Sequence, residues 1–273
     1  MSPPGTSIEV ETRVKLTGER PIEGQTPDSL LGLHAAGYRE ARAAISEGTF
    51  LDLGCGLGDG TATFAAPGRT LVGIDYDPAT AAAARTANAD LGLMTACSDG
   101  SALGLRSDSF DNICSSHLIE HFVDPTHHVR EVARVLAPSG TAIFITPNEP
   151  ADFENPYHVY LFEPDDLRQM LERFFAEVTI VGIDATPRVK EDFESRRAMA
   201  YKMLRLDPFG IRHKLPRSWF VALHAFGRRV AYRFLVDDQV QGNSGITDAE
   251  FFVTEDIDPT TLVLFAVASK PLA

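Results

Sequence analysis

The chain has 273 residues and a formal net charge of −13, with 44% hydrophobic and 23% charged residues. This composition is ordinary for one or two globular domains with a sizeable core. The negative balance disfavours general nucleic-acid binding, which needs basic surface against phosphate. The N-terminal segment has no apolar signal region and no apolar run reaches membrane-spanning length, so we expect a cytoplasmic protein without a transmembrane segment.

The first part of the chain predicts an arm, a helix and a glycine-rich turn. Residues 1–25 show no clear periodicity, and an alanine-rich run from Asp28 to about Glu47 predicts a helix that could cover a ligand. The segment FLDLGCGLGDG at 50–60 then predicts a buried strand, a tight loop and the start of a helix. Such a loop lets backbone N–H groups approach a ligand closely, although a simple tight turn would use the same glycines.

The residues around this loop favour a ligand that lacks phosphate. A dinucleotide fingerprint needs a glycine where this chain has Asp59, and no GK[ST] follows for a P-loop. A carboxylate there would repel phosphate, so a cationic ligand fits better, and Asp52 could accept a hydrogen bond from an amino group. Asp75 ends the next predicted strand at the spacing where Rossmann-type folds bind ribose hydroxyls, but it could also cap the helix before Pro78.

Strands and helices continue to alternate. Further strands are predicted at 92–97, 110–116, 140–146, 177–183 and 261–269. This alternation predicts a doubly wound, parallel α/β sheet, in which ligands bind at the carboxyl ends of the strands. Several polar or glycine residues follow such ends: Gly54, Asp75, Asp99 and Ser115–His117. We therefore expect them to surround one crevice.

Residues 184–260 separate the last two predicted strands. The gap is much longer than a hairpin requires, which predicts an inserted cap. Twelve basic and six acidic residues between Ala185 and Val240 give +6, which leaves −19 for the rest of a chain whose total is −13. The stretch 217–236 has apolar residues at helical spacing among arginines, which predicts a cap or dimer helix, with a membrane-surface helix as the alternative.

The three cysteines, Cys55, Cys97 and Cys114, are widely spaced and form no C-x-x-C motif. We expect reduced core residues rather than a disulfide or a cysteine–metal site.

Four ordered segments together resemble the class I S-adenosylmethionine-dependent methyltransferases. They are LDLGCGLGDG, the acid of GIDYD, SDGSAL before SFDNICSSHLIEH, and LAPSG, which would end a helix, before TAIFITPN. The similarity covers about residues 48–183 and the final strand. It implies a seven-stranded Rossmann-like sheet whose last strand is antiparallel, with S-adenosyl-L-methionine lying over the glycine loop. This cofactor is cationic and carries no phosphate.

The resemblance also implies roles for single residues. Gly54 and Gly56 would contact the methionine part of the cofactor, and Asp75 would bind the ribose hydroxyls. Asp99 and Gly100 would flank the adenine. The expected cofactor-binding residues are Asp52, Gly54, Cys55, Gly56, Asp75, Tyr76, Asp99, Gly100 and Ser116.

Methyl transfer to a hydroxyl requires alignment of the acceptor with the methyl group and a base for the proton. The resemblance places Ser116 or His117 near the sulfonium, and the segment HLIEH begins at His117. On a helical turn, His117, Glu120 and His121 would share one face. They could act as bases, hold a divalent ion such as Mg²⁺ or Mn²⁺ that acidifies the hydroxyl, or only anchor the turn.

Two features of this region bear on the metal and the acceptor. The segment is similar to the E-x-x-E-H segment of metal-dependent quinone-pathway O-methyltransferases, but His117 stands where they have glutamate, and Mg²⁺ prefers oxygen ligands. H-x-x-E-H is also a zinc-protease pattern, which does not fit a segment that follows a sheet strand. His158, in the loop 155–158, could contact the acceptor or serve only in packing.

The sequence thus predicts an S-adenosylmethionine-dependent O-methyltransferase. The catalytic candidates are His117, His121 and His158, and the candidate metal ligands are His117, Glu120 and His121. The expected units are an arm and lid helix (1–47), the cofactor-binding core (48–183), the basic helical insertion (184–260), and the last strand with a tail (261–273).

The acceptor is less defined than the cofactor. By analogy with enzymes of polysaccharide and glycolipid synthesis, a sugar or oligosaccharide hydroxyl is the leading expectation. A phenolic or quinone-type hydroxyl, a lipid headgroup amine, and a non-catalytic S-adenosylmethionine-binding protein are the alternatives. The insertion leaves a homodimer or weak membrane-surface association open.

Overall fold

The computed structural model describes residues 26–152, 158–204 and 244–272. The helices are α1 (Asp28–Ala44), α2 (Asp59–Ala62), α3 (Pro78–Ala87), α4 (Thr126–Val135), α5 (Pro164–Glu172) and α6 (Pro187–Leu204). The strands are β1 (Thr49–Leu53), β2 (Thr70–Asp75), β3 (Met94–Cys97), β4 (Phe110–Ser116), β5 (Leu136–Pro147), β6 (Phe175–Ala185), β7 (Phe251–Thr254) and β8 (Val263–Pro271). The predicted arm, residues 155–157 and the 217–236 helix lie outside the described residues.

One mixed sheet carries the fold, in the order β3-β2-β1-β4-β5-β8-β6-β7. The first five strands pair parallel, and β8 runs antiparallel to both of its neighbours. The predicted Rossmann-like methyltransferase sheet with an antiparallel last strand is therefore confirmed. The sequence did not predict β7, which pairs antiparallel to β6 at the sheet edge, because four residues are too few to establish an alternating pattern.

Helices cover both faces of the sheet. Leu51 and Leu53 of β1 belong to the core layer that includes residues of α4 and α5, whereas Phe50 packs in the layer with α1 and α6. Strands buried on both faces require nearly continuous apolar sequence, and this explains the run that begins at Phe50. None of the described helices is long and apolar enough to cross a bilayer.

Two local expectations were wrong. LAPSG does not end a helix, since α4 stops at Val135 and Leu136 already pairs with Phe110 in β5. Cys97 is exposed, because it lies on the edge strand β3, whereas Cys55 and Cys114 are buried. Cys97 and Cys114 are free thiols.

Helix α1 packs directly on the glycine loop and α2. The ring of Tyr38 covers Gly60 so closely that a Cβ at this glycine would lie 2.3 Å from Cε2 of the ring. The Tyr38 hydroxyl donates a hydrogen bond to Asp52 Oδ2 at 3.2 Å. The predicted lid helix is thus fixed to α2 by packing and to β1 by a hydrogen bond.

Gly60→Ala should destabilise the protein, because the added methyl group overlaps the Tyr38 ring and overpacking typically costs about 1–3 kcal/mol. Each kcal/mol should lower the thermal unfolding midpoint by about 2–4 °C for a chain of this size. Gly104→Ala is the matched control, since no atom lies within 4 Å of its added Cβ. Equal midpoints for the two variants would contradict the described packing.

Candidate functional site

The carboxyl ends of β1 and β2 and the loops after β3 and β4 surround a cavity of about 270 Å³. Several residues that line it were predicted from the sequence: Gly54, Asp75, Tyr76, Asp99 and Gly100. The backbone at Gly54 has φ 78°, and at Gly56 φ 54°, which is a region that favours glycine. A Cβ at Gly56 would meet no atom within 4 Å, so the loop has open space beside it.

The carboxylate of Asp75 is held at the edge of this cavity by backbone donors. Its Oδ2 accepts from the Gly56 N–H at 3.2 Å and its Oδ1 from the Asp77 N–H at 2.9 Å. Asp75 does not cap the next helix, because Asp77 is the N-cap residue and accepts from the Thr80 N–H. Asp75 is therefore oriented by the loop that it faces.

Asp99 and Gly100 form another part of the cavity wall, and the buried His128 supports this part through a hydrogen bond to Gly100. The His128 Nδ1–H donates to the Gly100 carbonyl at 2.8 Å, and the Ser115 hydroxyl donates to Nε2 at 2.9 Å. Burial lowers the pKa of His128 to about 4, so the ring is neutral. Hydrogen bonds from Ser101 hold the pKa of Asp99 below its usual value.

Sequence reasoning did not identify His128. The signal that could have identified it is its position four residues before Val132 on the apolar face of α4.

Four residues expected to bind the cofactor do not line the cavity. Asp52 is fully buried, and its carboxylate accepts hydrogen bonds from Thr61 Oγ1 at 2.5 Å and from Tyr38. The Cys55 side chain is directed at Gly73, where an added Cβ would lie 2.8 Å from its sulfur. Gly56 donates its N–H to Asp75. Ser116 is buried, and its hydroxyl has no hydrogen-bond partner in the part of the chain that the structure describes.

A second polar group lies beyond β4, around the fully buried Glu120. The Thr146 hydroxyl donates to Glu120 Oε2 at 3.1 Å. The Glu120 carbonyl accepts from the N–H groups of Val159 and Tyr160 at 2.9 and 3.1 Å, which brings the preceding His158 to the site. Within residues 26–152, 158–204 and 244–272, Oε1 has no hydrogen-bond partner.

Histidines surround the remaining oxygen of Glu120. His117 Nδ1 lies 3.5 Å from Oε1, and His158 Nε2 lies 4.0 Å from it. Burial by itself would raise the pKa of Glu120, but the interactions with His117 first, and then with His121 and His158, outweigh it and lower this pKa to about 2. Glu120 is therefore a buried anion balanced by imidazoles.

Three of these side chains are close enough to share an ion. Glu120, His121 and His158 each offer one ligand atom, and these atoms lie within 4.8 Å of one another. His158 takes the position that the sequence assigned to His117, because its loop returns to the Glu120 main chain. The His117 backbone has a left-handed φ of 49°, and its ring instead stacks on His34 of α1, with centroids 4.2 Å apart. Sequence reasoning did not identify His34.

The first helix of the insertion supports the same loop. Arg197 of α6 donates to the carbonyls of Pro150 and Asp152 at 2.6 and 2.8 Å. Asp152 in turn accepts from His158 Nδ1 at 2.9 Å through its Oδ2. Nε2 of His158 is thereby left to face Glu120.

Residues 51–144 match a family described as a methyltransferase domain. A probable S-adenosylmethionine-dependent methyltransferase of Mycobacterium tuberculosis is 29% identical over 199 residues, which cover 70% of this chain and 72% of the relative. A ubiquinone biosynthesis O-methyltransferase of Parvibaculum lavamentivorans is 32% identical over 101 residues, covering 36% and 40%.

A solved structure from Thermotoga maritima, titled as an S-adenosylmethionine-dependent methyltransferase and possible histamine N-methyltransferase, has the same fold. It gives a TM-score of 0.55 at 14% identity and covers 89% of this chain and 91% of that chain. The matched domain and these relatives support a class I S-adenosylmethionine-dependent methyltransferase.

The cavity of this methyltransferase fits S-adenosyl-L-methionine. Carboxylates stand at the ends of β2 and β3, and the apolar side chains of Ile74 and Leu118 supply flat walls. Of the described residues that line the cavity, none is lysine or arginine, so the site offers no side-chain cation for a phosphate. Tyr76 is 58% exposed at the cavity edge.

The pKa of Asp52 makes stability depend on pH. Burial raises this pKa from 3.8 to about 7, although hydrogen bonds from Thr61 and Tyr38 oppose the effect. Between about pH 4 and pH 7 the folded protein therefore binds more protons at Asp52 than the unfolded chain, and the contribution of Asp52 to stability falls as pH rises.

Asp52→Asn removes this titration. The unfolding free energy of the wild type minus that of the variant should decrease by on the order of a few kcal/mol between pH 4 and pH 7 and stay constant at higher pH. Urea titrations at each pH measure it. A difference that is flat or rises across this window would contradict the buried, proton-binding Asp52.

Proposed function

We propose that this methyltransferase transfers the methyl group of S-adenosyl-L-methionine to a hydroxyl oxygen of a small acceptor. The observation that carries the proposal is the buried anion Glu120 with His117, His121 and His158 around it, next to the cofactor cavity. A hydroxyl must lose its proton to attack well, and imidazole is the side chain suited to take a proton near neutral pH. His121 connects the two features, because it belongs to the histidines around Glu120 and also lines the cofactor cavity.

The proposed cofactor contacts follow the cavity lining. Asp75 binds the ribose hydroxyls, Asp99 and Gly100 flank the adenine, and the loop at Gly54 holds the methionine part. When bound, the cofactor supplies a methyl group that is already activated by its sulfonium. The task of the protein is therefore to align the acceptor with this group and to remove one proton.

We also propose that Glu120, His121 and His158 hold a divalent ion. The donor set fits, because Glu120 Oε1 is buried and His158 is oriented through its other nitrogen by Asp152, an arrangement common around metal-ligating histidines. Two imidazoles and one carboxylate favour a transition ion such as Mn²⁺ over Mg²⁺. When bound, such an ion lowers the pKa of a coordinated hydroxyl.

Two acceptor classes compete. The expectation of a sugar hydroxyl rests on analogy with enzymes of polysaccharide and glycolipid synthesis, which combine such a core with a long basic insertion. Most of this insertion lies outside the described residues. The relative named as a ubiquinone biosynthesis O-methyltransferase supports a phenolic hydroxyl of quinone type instead. Phenolic acceptors should therefore be assayed first and sugars second, because the support for phenols comes from named relatives.

Purified protein with S-adenosyl-L-methionine should release S-adenosylhomocysteine with at least one phenolic or sugar acceptor. His158→Ala should then lower kcat by about 10²–10⁴-fold, the usual contribution of groups that assist proton removal, because His158 either takes the proton or holds the ion that acidifies the hydroxyl, while calorimetry shows unchanged cofactor affinity. His127→Ala is the control, because this side chain is 60% exposed on α4. Turnover with amine acceptors alone would exclude the hydroxyl proposal.

If the ion is required, EDTA treatment should abolish turnover with the best hydroxyl acceptor, and Mn²⁺ should restore it more fully than Mg²⁺. Calorimetry should show Mn²⁺ binding to the wild type and none to Glu120→Gln, which keeps the side-chain volume. Full activity in chelator would exclude the metal without affecting the methyltransferase assignment.

A further inference from the structure

The His128 ring lies behind the wall of the cofactor cavity and meets a polar group at each of its nitrogens. Its side chain is fully buried, and it is not among the described residues that line the cavity. Nδ1 lies 2.8 Å from the Gly100 carbonyl oxygen, and Nε2 lies 2.9 Å from the Ser115 hydroxyl. A carbonyl oxygen can only accept, so Nδ1 carries the proton and Nε2 accepts from Ser115. The ring is therefore an oriented, neutral donor to Gly100.

The face of the same ring supports a second part of the cavity wall. The Phe122 ring stacks on His128 with centroids 4.7 Å apart and an angle of 18° between the planes. Phe122 and Gly100 both line the cavity. They also approach each other, since a Cβ added to Gly100 would lie 3.1 Å from Phe122 Cζ and 3.4 Å from His128 Nδ1. One buried side chain thus contacts a backbone wall from the loop after β3 and an aromatic wall from the loop after β4.

The position of Gly100 also determines the position of the neighbouring Asp99 carboxylate. In the turn after β3, the Asp99 carbonyl accepts from the Ala102 N–H at 3.0 Å, and Asp99 Oδ1 accepts from the N–H and the hydroxyl of Ser101 at 2.8 and 2.7 Å. These bonds fix the carboxylate within its turn, whereas the bond from His128 ties the turn to α4. Asp99 lines the cavity, and an ionised carboxylate accepts hydrogen bonds but donates none. Its place therefore decides which group of a ligand can be paired there.

We propose that His128 is a positioning residue that makes the cofactor site selective for a base with an exocyclic amino group. By holding Gly100, it keeps the Asp99 carboxylate where the amino group of a flat ring beside Phe122 can donate to it. A carbonyl oxygen in the same place would face the carboxylate with no proton between them. This inference rests on the proposed placement of the adenine at Asp99 and Gly100, and it extends base recognition to a residue that does not touch the cofactor.

Calorimetry with two ligands measures this selectivity: S-adenosylhomocysteine, and S-inosylhomocysteine, in which a carbonyl oxygen replaces the amino group. The wild type should bind the adenine compound about 10–100-fold more tightly, the range expected for one hydrogen bond to a charged group. His128→Phe keeps an aromatic ring under Phe122 but cannot donate to Gly100. It should therefore reduce this affinity ratio by about tenfold.

Two further variants separate the hydrogen bond from the ring. His128→Asn should keep most of the ratio, because its amide nitrogen is as many bonds from Cβ as Nδ1 is and can donate to Gly100. His127→Ala is the matched control on the same helix, and it should keep the wild-type ratio because its side chain is 60% exposed. Loss of packing alone would weaken both ligands alike and leave the ratio unchanged.

Thermal unfolding midpoints show whether each variant folds. His128→Gln takes the place of His128→Phe if the phenylalanine variant does not fold, because its longer side chain carries the amide towards Ser115 rather than Gly100. A ratio in the folded variant within about threefold of the wild type, well below the tenfold change expected, would overturn the inference. Equal losses in folded His128→Asn and His128→Phe would also overturn it, since His128 would then act through its ring. If the wild type binds both ligands equally, the proposed placement of the adenine fails as well, and this outcome is visible before any variant is made.

Discussion

Burial of the Glu120 carboxylate is the constraint on which the histidine cluster of this protein depends. A charge without solvent costs several kcal/mol unless other groups compensate it, and Glu120 has no exposed surface. Its compensation comes from elements far apart in the chain: the Thr146 hydroxyl on β5, His117 after β4, and His158 on the next loop. The need to balance one anion therefore gathers the histidines at one end of the sheet.

The cofactor side depends on backbone geometry rather than on charge. Left-handed glycines after β1 bring the loop to Asp75, and the neutral His128 holds the Gly100 carbonyl in place from inside the core. The backbone of the glycine loop and the neutral His128 ring carry no charge, and His128 is buried away from the cavity. They fit a ligand whose own charge is positive and whose recognition uses hydroxyl groups and a flat base.

Helix α1 joins the two sides. His34 and Tyr38 are four residues apart, so they lie on the same face of the helix. His34 reaches the histidine group through His117, and Tyr38 reaches the glycine loop through Asp52 and Gly60. Any displacement of α1 would therefore disturb the stacked histidines and the contacts of Tyr38 with β1 and α2 together.

The sequence by itself determined the fold and predicted that Gly54, Asp75 and Asp99 would surround one cavity. Strand–helix alternation and the spacing of Gly54, Asp75 and Asp99 are local patterns, and in a parallel sheet the carboxyl ends of neighbouring strands must meet at one edge. Contacts between distant segments were decided only by the tertiary structure. The approach of His158 to Glu120, the stacking of His34 on His117 and the enclosure of Asp52 by Tyr38 all join residues whose separation along the chain carries no periodic signal. Burial and pairing of polar groups set these contacts, and both depend on which elements pack together in three dimensions.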